Sequence, residues 1–290
     1  MTAPEQGYAF LALGAQRYYE MAVTAALSAR LADPSRPIAL ICDADAPVEH
    51  TRWFDAVVPM APDEGLVGVA NKLRLATHAP FARTMVIDAD CIVARRDMDR
   101  HWTKLSGAAV GWSGDKSTKG RWYGFDVAEV CHRLGVPYLV EGNTGVLLFD
   151  RQAGAETVEA TALGYIRERA DVFGLAPHQG RAGQLSDEPF WGAAMGAHGV
   201  EPVTYAPGED TIMATSWRAR RHEADLVRGE TLVEKATGYR IGGKLWARGW
   251  VAHHPSVLHF IGLKPRRMYQ RLSAEVREAA GAPPDPCLVQ

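Results

Sequence analysis

The chain of 290 residues is 47% hydrophobic and 23% charged with a formal net charge of −2, the composition of a soluble globular protein able to bury its own core. That charge gives no general attraction to nucleic acid, so any phosphate must be met by a local site. Cys42, Cys91, Cys131 and Cys287 are too scattered for a zinc ribbon or a disulfide framework, and no apolar stretch approaches the roughly 18 residues of a membrane span. With no basic leader at the N-terminus, a cytoplasmic protein is the expectation.

Residues 8–13 (YAFLAL) read as a first strand, and Gly14 turns the chain into a helix over 17–31. A strand at 38–42 (IALIC) completes a β-α-β unit. A short strand at 56–59, a loop at 61–68 and a helix over 69–78 lead to 84–93 (TMVIDADCIV), an apolar run with two carboxylates. Such a run reads as a buried strand, with Asp88 and Asp90 at its C-terminal end, where open sheets hold ligands. Two carboxylates flanking one small residue supply hard oxygen ligands for a divalent cation, which can in turn hold a diphosphate. The run 38–45 (IALICDAD) has the same form, with Asp43 and Asp45, so context must separate the two copies.

Downstream, strands are expected at 108–112, 143–150 and 257–261, and helices at 153–169, 188–196 and 273–280. Residues 113–124 read as a loop, 205–252 carry no assignable pattern, and 281–290 read as a loose tail. Strands alternating with helices predict an α/β protein with a Rossmann-like, mainly parallel sheet flanked by helices.

In chain order stand Asn71 and Lys72, Asp88-Ala89-Asp90, Asn143-Thr144-Gly145, Asp187-Glu188, and the segment His259-Phe260-Ile261-Gly262-Leu263-Lys264-Pro265. This series resembles the retaining glycosyltransferases of the A-type fold, specifically the family eight or glycogenin-like group, in register over most of the chain. The resemblance implies a single A-type (GT-A) domain over 1–270, with a nucleotide-binding half at 1–105 and a donor-sugar and acceptor half at 106–270. A C-terminal helix and tail would follow at 271–290.

The resemblance also assigns roles. Asp88, Asp90 and His259 become the metal ligands, and an imidazole in the set suits manganese somewhat better than magnesium. Lys72 precedes this copy of the motif and has no counterpart before Asp43 and Asp45, which are assigned to turn chemistry with a ribose contact as the alternative. Leu11, Ala12, Leu13 and Tyr18 are candidates for the base, and Lys72 for the donor. Ala89 would keep the backbone close to the ribose. Asn143, Thr144 and Gly145 would meet the donor sugar, while Gly262 and Lys264 would meet the diphosphate, Lys264 stabilising the leaving charge.

The family has Asp-Gln where this chain has Asp187-Glu188. Asp187 is expected on the sugar; Glu188 would stabilise positive charge, bind an amino group or act as a nucleophile, and the pair also reads as a helix start. The expected partners are a nucleotide-sugar donor, most commonly UDP-hexose, and an acceptor hydroxyl of unknown nature, with no nucleic acid and an open oligomeric state. Residues 113–138, with Arg121, Trp122 and Tyr123, are the candidate acceptor wall. The tryptophans, including Trp102, Trp112, Trp191, Trp217, Trp246 and Trp250, read as core first and stacking surfaces second. The rivals are a haloacid dehalogenase-type phosphatase, whose nucleophile also lies in an Asp-x-Asp, and a catalytically silent nucleotide-sugar-binding module. His253 and His254 point to opposite faces of an extended segment and do not share an ion.

Overall fold

The computed structural model describes residues 5–61, 63, 65–174, 185–206, 208–216, 218–241 and 244–288. Trp217 lies outside these residues, as does the side chain of Trp246. The first half runs β1 (Gln6–Ala12), α1 (Gln16–Ala32), β2 (Ile38–Cys42), α2 (Val48–Thr51) and β3 (Ala56–Pro59). A 3-10 stretch at Gly68–Arg74 then turns into α3 (Leu75–His78), followed by β4 (Arg83–Ile87), β5 (Cys91–Val93) and α4 (Met98–Leu105). The helix expected over 69–78 is therefore mostly 3-10, and the amide of Asn71 donates to the Leu66 and Gly68 carbonyls, holding that tighter turn.

Next come β6 (Val110–Ser117), the two-residue strands β7 (Arg121–Trp122) and β8 (Phe125–Asp126), α5 (Val127–Leu134) and β9 (Leu139–Asp150). The expected loop at 113–124 is thus partly strand, and α5 begins where the Asp126 carboxylate accepts the Glu129 amide and ends at Gly135 with φ 68°. Then follow α6 (Ala155–Glu168), α7 (Ala170–Phe173) and α8 (Glu188–Ala197). The unassigned stretch from 205 holds β10 (Met213–Thr215), β11 (Arg221–Asp225), β12 (Glu230–Ile241) and β13 (Lys244–His253). After β14 (Val257–His259) and a 3-10 turn at Ile261–Leu263, α9 (Arg266–Ala279) closes the chain. This last helix starts seven residues earlier than the sequence pattern implied and runs across the domain boundary expected after 270.

The central sheet has the order β3-β2-β1-β4-β9-β6. β3, β2, β1 and β4 run parallel, β9 runs against them, and β6, antiparallel to β9, runs with them again. Alternate residues supply the two cores: Tyr8 and Phe10 of β1 face α1, while Ala9 faces the core shared by α6 and α8. The strand order reverses between β1 and β4, which opens a crevice at their C-terminal ends. Two three-stranded sheets, β10-β14-β5 and β11-β12-β13, accompany the central one.

Candidate active site

β4 ends at Ile87, so Asp88 is the first residue beyond the buried strand, its amide held by the Gly145 carbonyl at 2.9 Å. Because β9 runs antiparallel to β4, the pairing of Ile87 with Val146 brings Asn143, Thr144 and Gly145 beside Asp88. β5 pairs antiparallel with β14, which sets His259 opposite Cys91. Three segments far apart in sequence thus converge through sheet register alone.

His259 is fixed at both ring nitrogens. Its Nδ1 lies 2.8 Å from Asn143 Oδ1, an acceptor that also takes the Gly145 amide at 3.0 Å, so Nδ1 carries the proton. Nε2 then faces Asp90 Oδ1 at 3.1 Å and Asp88 Oδ2 at 3.7 Å. Burial disfavours the imidazolium, but the two aspartates outweigh it and hold the ring above the ordinary histidine value. Gly145 has no room for a side chain: a Cβ there would lie 2.7 Å from both His259 Nδ1 and Met213 Sδ. The close approach of backbone to imidazole, rather than sugar contact alone, accounts for glycine at this position.

Lys72 is the cation of the cluster. Its Nζ lies 2.9 Å from Asp88 Oδ1, 3.0 Å from Asp88 Oδ2 and 2.9 Å from Thr144 Oγ1, and 3.7 Å from Asp187 Oδ2. Burial opposes its charge, yet Asp187 and Asp88 hold its pKa above that of a free lysine. Asp187 Oδ2 accepts no hydrogen bond among the described residues although it is buried. Glu188 is by contrast saturated: Oε1 accepts from Asn143 Nδ2 at 2.8 Å and from the Thr144 amide at 3.3 Å, and Oε2 accepts from the Tyr123 hydroxyl. Burial first, and Asp187 second, push Glu188 up to about 7. The Asp187 side chain makes no capping hydrogen bond at the start of α8, so helix capping does not explain it.

Four carboxylates, Asp88, Asp90, Asp187 and Glu188, therefore surround one lysine and one imidazole, a cluster short of positive charge that suits a divalent cation. Ligand atoms of Asp90, Cys91 and His259 lie within 4.8 Å of one another. Burial and the neighbouring aspartates raise the Cys91 thiol, whose Sγ donates to the Gly145 carbonyl at 3.8 Å, so a neutral thiol faces away from ionic ligation. Asp88, with Asp90 and the neutral Nε2 of His259, makes the better donor set for a hard cation.

The cluster opens into a cleft of about 450 Å³ lined by Leu11, Leu13, Gly14, Tyr18, Met21 and Asp43 on one side and by Gly68, Val69, Asn71, Lys72 and residues 88–90 on the other. Its size is that of a small-molecule site. Among the residues singled out from sequence, Leu11, Leu13, Tyr18, Lys72 and Ala89 line it, while Ala12 is buried within β1. Asp43 Oδ2 accepts from the Gly14 amide at 2.6 Å and the Tyr19 hydroxyl at 2.7 Å, closing the turn after β1. Gly262, with φ 61°, and Lys264 sit on the turn after His259, outside that lining, and Lys264 is exposed. Tyr123, whose hydroxyl meets Glu188 and Ser186, joins the cluster from the 113–138 segment.

No protein-family model matches this sequence, and no curated protein is similar to it. Solved structures are. The galactosyltransferase LgtC, in complex with donor and acceptor sugar analogs, superposes with a TM-score of 0.55 at 15% identity, covering 93% of this chain and 95% of that one. An active-site glutamine-to-glutamate mutant of LgtC superposes at 0.53 and 16% identity with the same coverage. The chain has the A-type glycosyltransferase fold. The mainly parallel sheet and its helical layers are thus shared with proteins only distantly similar in sequence. No described helix is long and apolar enough to cross a membrane.

Proposed function

We propose that the protein is a metal-dependent glycosyltransferase that moves a hexose from a nucleoside diphosphate, UDP foremost, to an acceptor hydroxyl with retention at the anomeric carbon. The observation that carries this reading is the Asp88, Asp90 and His259 cluster at the topological switch point of an A-type fold, with His259 Nε2 directed at Asp90 by Asn143. Manganese, or magnesium, bound by these three residues would neutralise the diphosphate as the sugar leaves.

The chain's own groups divide the remaining work. Lys72 keeps Asp88 oriented and opposes the burial that raises its pKa. Asp187 Oδ2 is buried without a hydrogen bond among the described residues, and Asp187 is the carboxylate available to a sugar hydroxyl or to positive charge at the anomeric carbon. Glu188 organises instead of attacking, because both of its oxygens are occupied by donors. The glutamate standing where the resemblance has glutamine has a physical reason here: three donors converge on it, and a carboxylate accepts all three whereas an amide would turn one NH2 group toward them. In a front-face transfer the departing phosphate oxygen takes the acceptor's proton, so no separate base is required.

A calorimetric screen of UDP-, GDP-, CDP- and dTDP-sugars with and without manganese tests the reading, and metal-dependent binding of one nucleotide class is expected. Asp90→Ala should abolish that binding with little change in Tm, whereas Asp43→Ala should be milder. Full turnover by Asp90→Ala, or no response of the folded wild type to any donor, would remove the proposal. A phosphatase reading is disfavoured because Lys72 brackets both oxygens of Asp88, the residue that would have to attack.

A further inference from the structure

β12 presents Thr231 and Val233, both buried, on its inward face, and the next residue on that face is Lys235. A lysine in an inward row departs from the pattern of a packed strand. Its ammonium donates to the Thr215 hydroxyl, and no carboxylate lies within ion-pair distance of it among the described residues. Burial holds Lys235 below the ordinary lysine value with no opposing charge, and Lys235 adds to the depression of the half-buried His253 that burial begins. Buried charges are ordinarily paired, so a cation balanced by one hydroxyl is short of an anion.

Sheet register shows where that cation points. β10 runs parallel to β14 and pairs Thr215 with His259, so the two side chains share a face. Met213, two residues before Thr215 on that face, approaches Gly145 together with His259 Nδ1. Through Thr215, Lys235 therefore reaches the face of β10 and β14 that carries His259, whereas Lys72 pairs with Asp88 and Asp187.

We infer that Lys235, with the Thr215 hydroxyl, forms an anion subsite of the active site that takes a phosphate or carboxylate oxyanion of the substrates. The inference rests on the function proposed above for the identity of those substrates. The oxyanion belongs either to the donor diphosphate or to an acidic acceptor, and the test separates them.

Lys235→Met keeps the aliphatic stem and removes the charge, and Lys235→Arg keeps the charge. Calorimetry with UDP and with inorganic pyrophosphate, each with manganese, is compared with sugar transfer to glucuronate and to glucose. A loss of tenfold or more in UDP and pyrophosphate affinity in Lys235→Met, with recovery in Lys235→Arg, supports the subsite and puts the anion on the donor. Unchanged UDP affinity with a tenfold loss of preference for glucuronate over glucose supports it and puts the anion on the acceptor. Wild-type behaviour of Lys235→Met in all these assays overturns it, as does a wild type that binds no pyrophosphate or UDP and shows no preference for the acid. A wild type that binds pyrophosphate through Lys235 but no nucleotide would sink the transferase reading while leaving the subsite standing. Tm should be unchanged or higher in Lys235→Met, since an unpaired half-buried charge is removed.

Discussion

At the scale of single residues, protonation of Glu188 is the sharpest handle on the site. Its folded value of about 7 lies above the ordinary 4.5, so between those two pH values the folded protein holds a proton that the unfolded chain releases. Stability from this group is therefore greatest below pH 4.5 and falls as pH rises toward 7, by at most about 3 kcal/mol at roughly 1.4 kcal/mol per unit. In metal-free protein, Glu188→Gln should flatten that part of the stability curve measured by urea titration; an unchanged slope would mean that another group carries it. Asn143 gives a second test. Asn143→Ala removes the acceptor that fixes the His259 tautomer, and manganese affinity measured by calorimetry should drop about 10- to 100-fold. Asp88, Asp90 and His259 were legible in the chain because each lies in a compact local motif. The contact of Tyr123 with Glu188 was not, although Tyr123 stood in the candidate acceptor wall, and neither were Thr215 and Lys235, because the partners lie 65, 20 and 20 residues away and no local pattern marks the contact.

At the scale of elements, α8 shows how the segment carrying Asp187 and Glu188 is clamped to a sheet. Gly192 and Gly196 lie one turn apart on α8, and a Cβ on either would collide with the Val140 or Tyr138 carbonyl of the β9 side. The close contact sets Asp187 and Glu188, at the start of α8, against Asn143 and Thr144 on β9. In an ordinary exposed helix, Gly→Ala stabilises by roughly 1 kcal/mol. Here Gly196→Ala should have the opposite sign, a loss of about 1–3 kcal/mol in denaturant unfolding, because the added methyl overpacks a backbone contact. A neutral or stabilising result would show that α8 can move away from β9. Helix α8 and strands β1, β2 and β4 were readable from apolar runs and helix-start signals. The β11 to β13 region was not, since its strands are antiparallel and partly exposed, with Arg221, Glu223 and Asp225 alternating where an apolar run would signal a strand.

At the scale of the whole molecule, the terminal helix is bolted to the first one. Arg277 donates to Glu20 Oε2 at 2.7 Å and to Thr24 Oγ1 at 2.8 Å, while His50 Nε2 meets Glu20 Oε1 at 2.9 Å. All four side chains are buried, and Arg277 also holds the Pro283 carbonyl at 2.9 Å, so α9 and the residues after it pack on α1 and α2 as part of the core. A residue pair 257 positions apart leaves no trace in local periodicity, which is why 271–290 read as an appendage. Breaking a buried ion pair at one partner strands the other charge, at a cost of about 3–5 kcal/mol. Arg277→Met should therefore lower stability by that order in urea unfolding. Pairing it with Glu20→Gln should recover part of the loss, because the stranded carboxylate is removed. Full additivity of the two substitutions would show that the pair contributes nothing jointly and that the helix is held by its apolar face, Met268, Tyr269, Leu272 and Val276, alone.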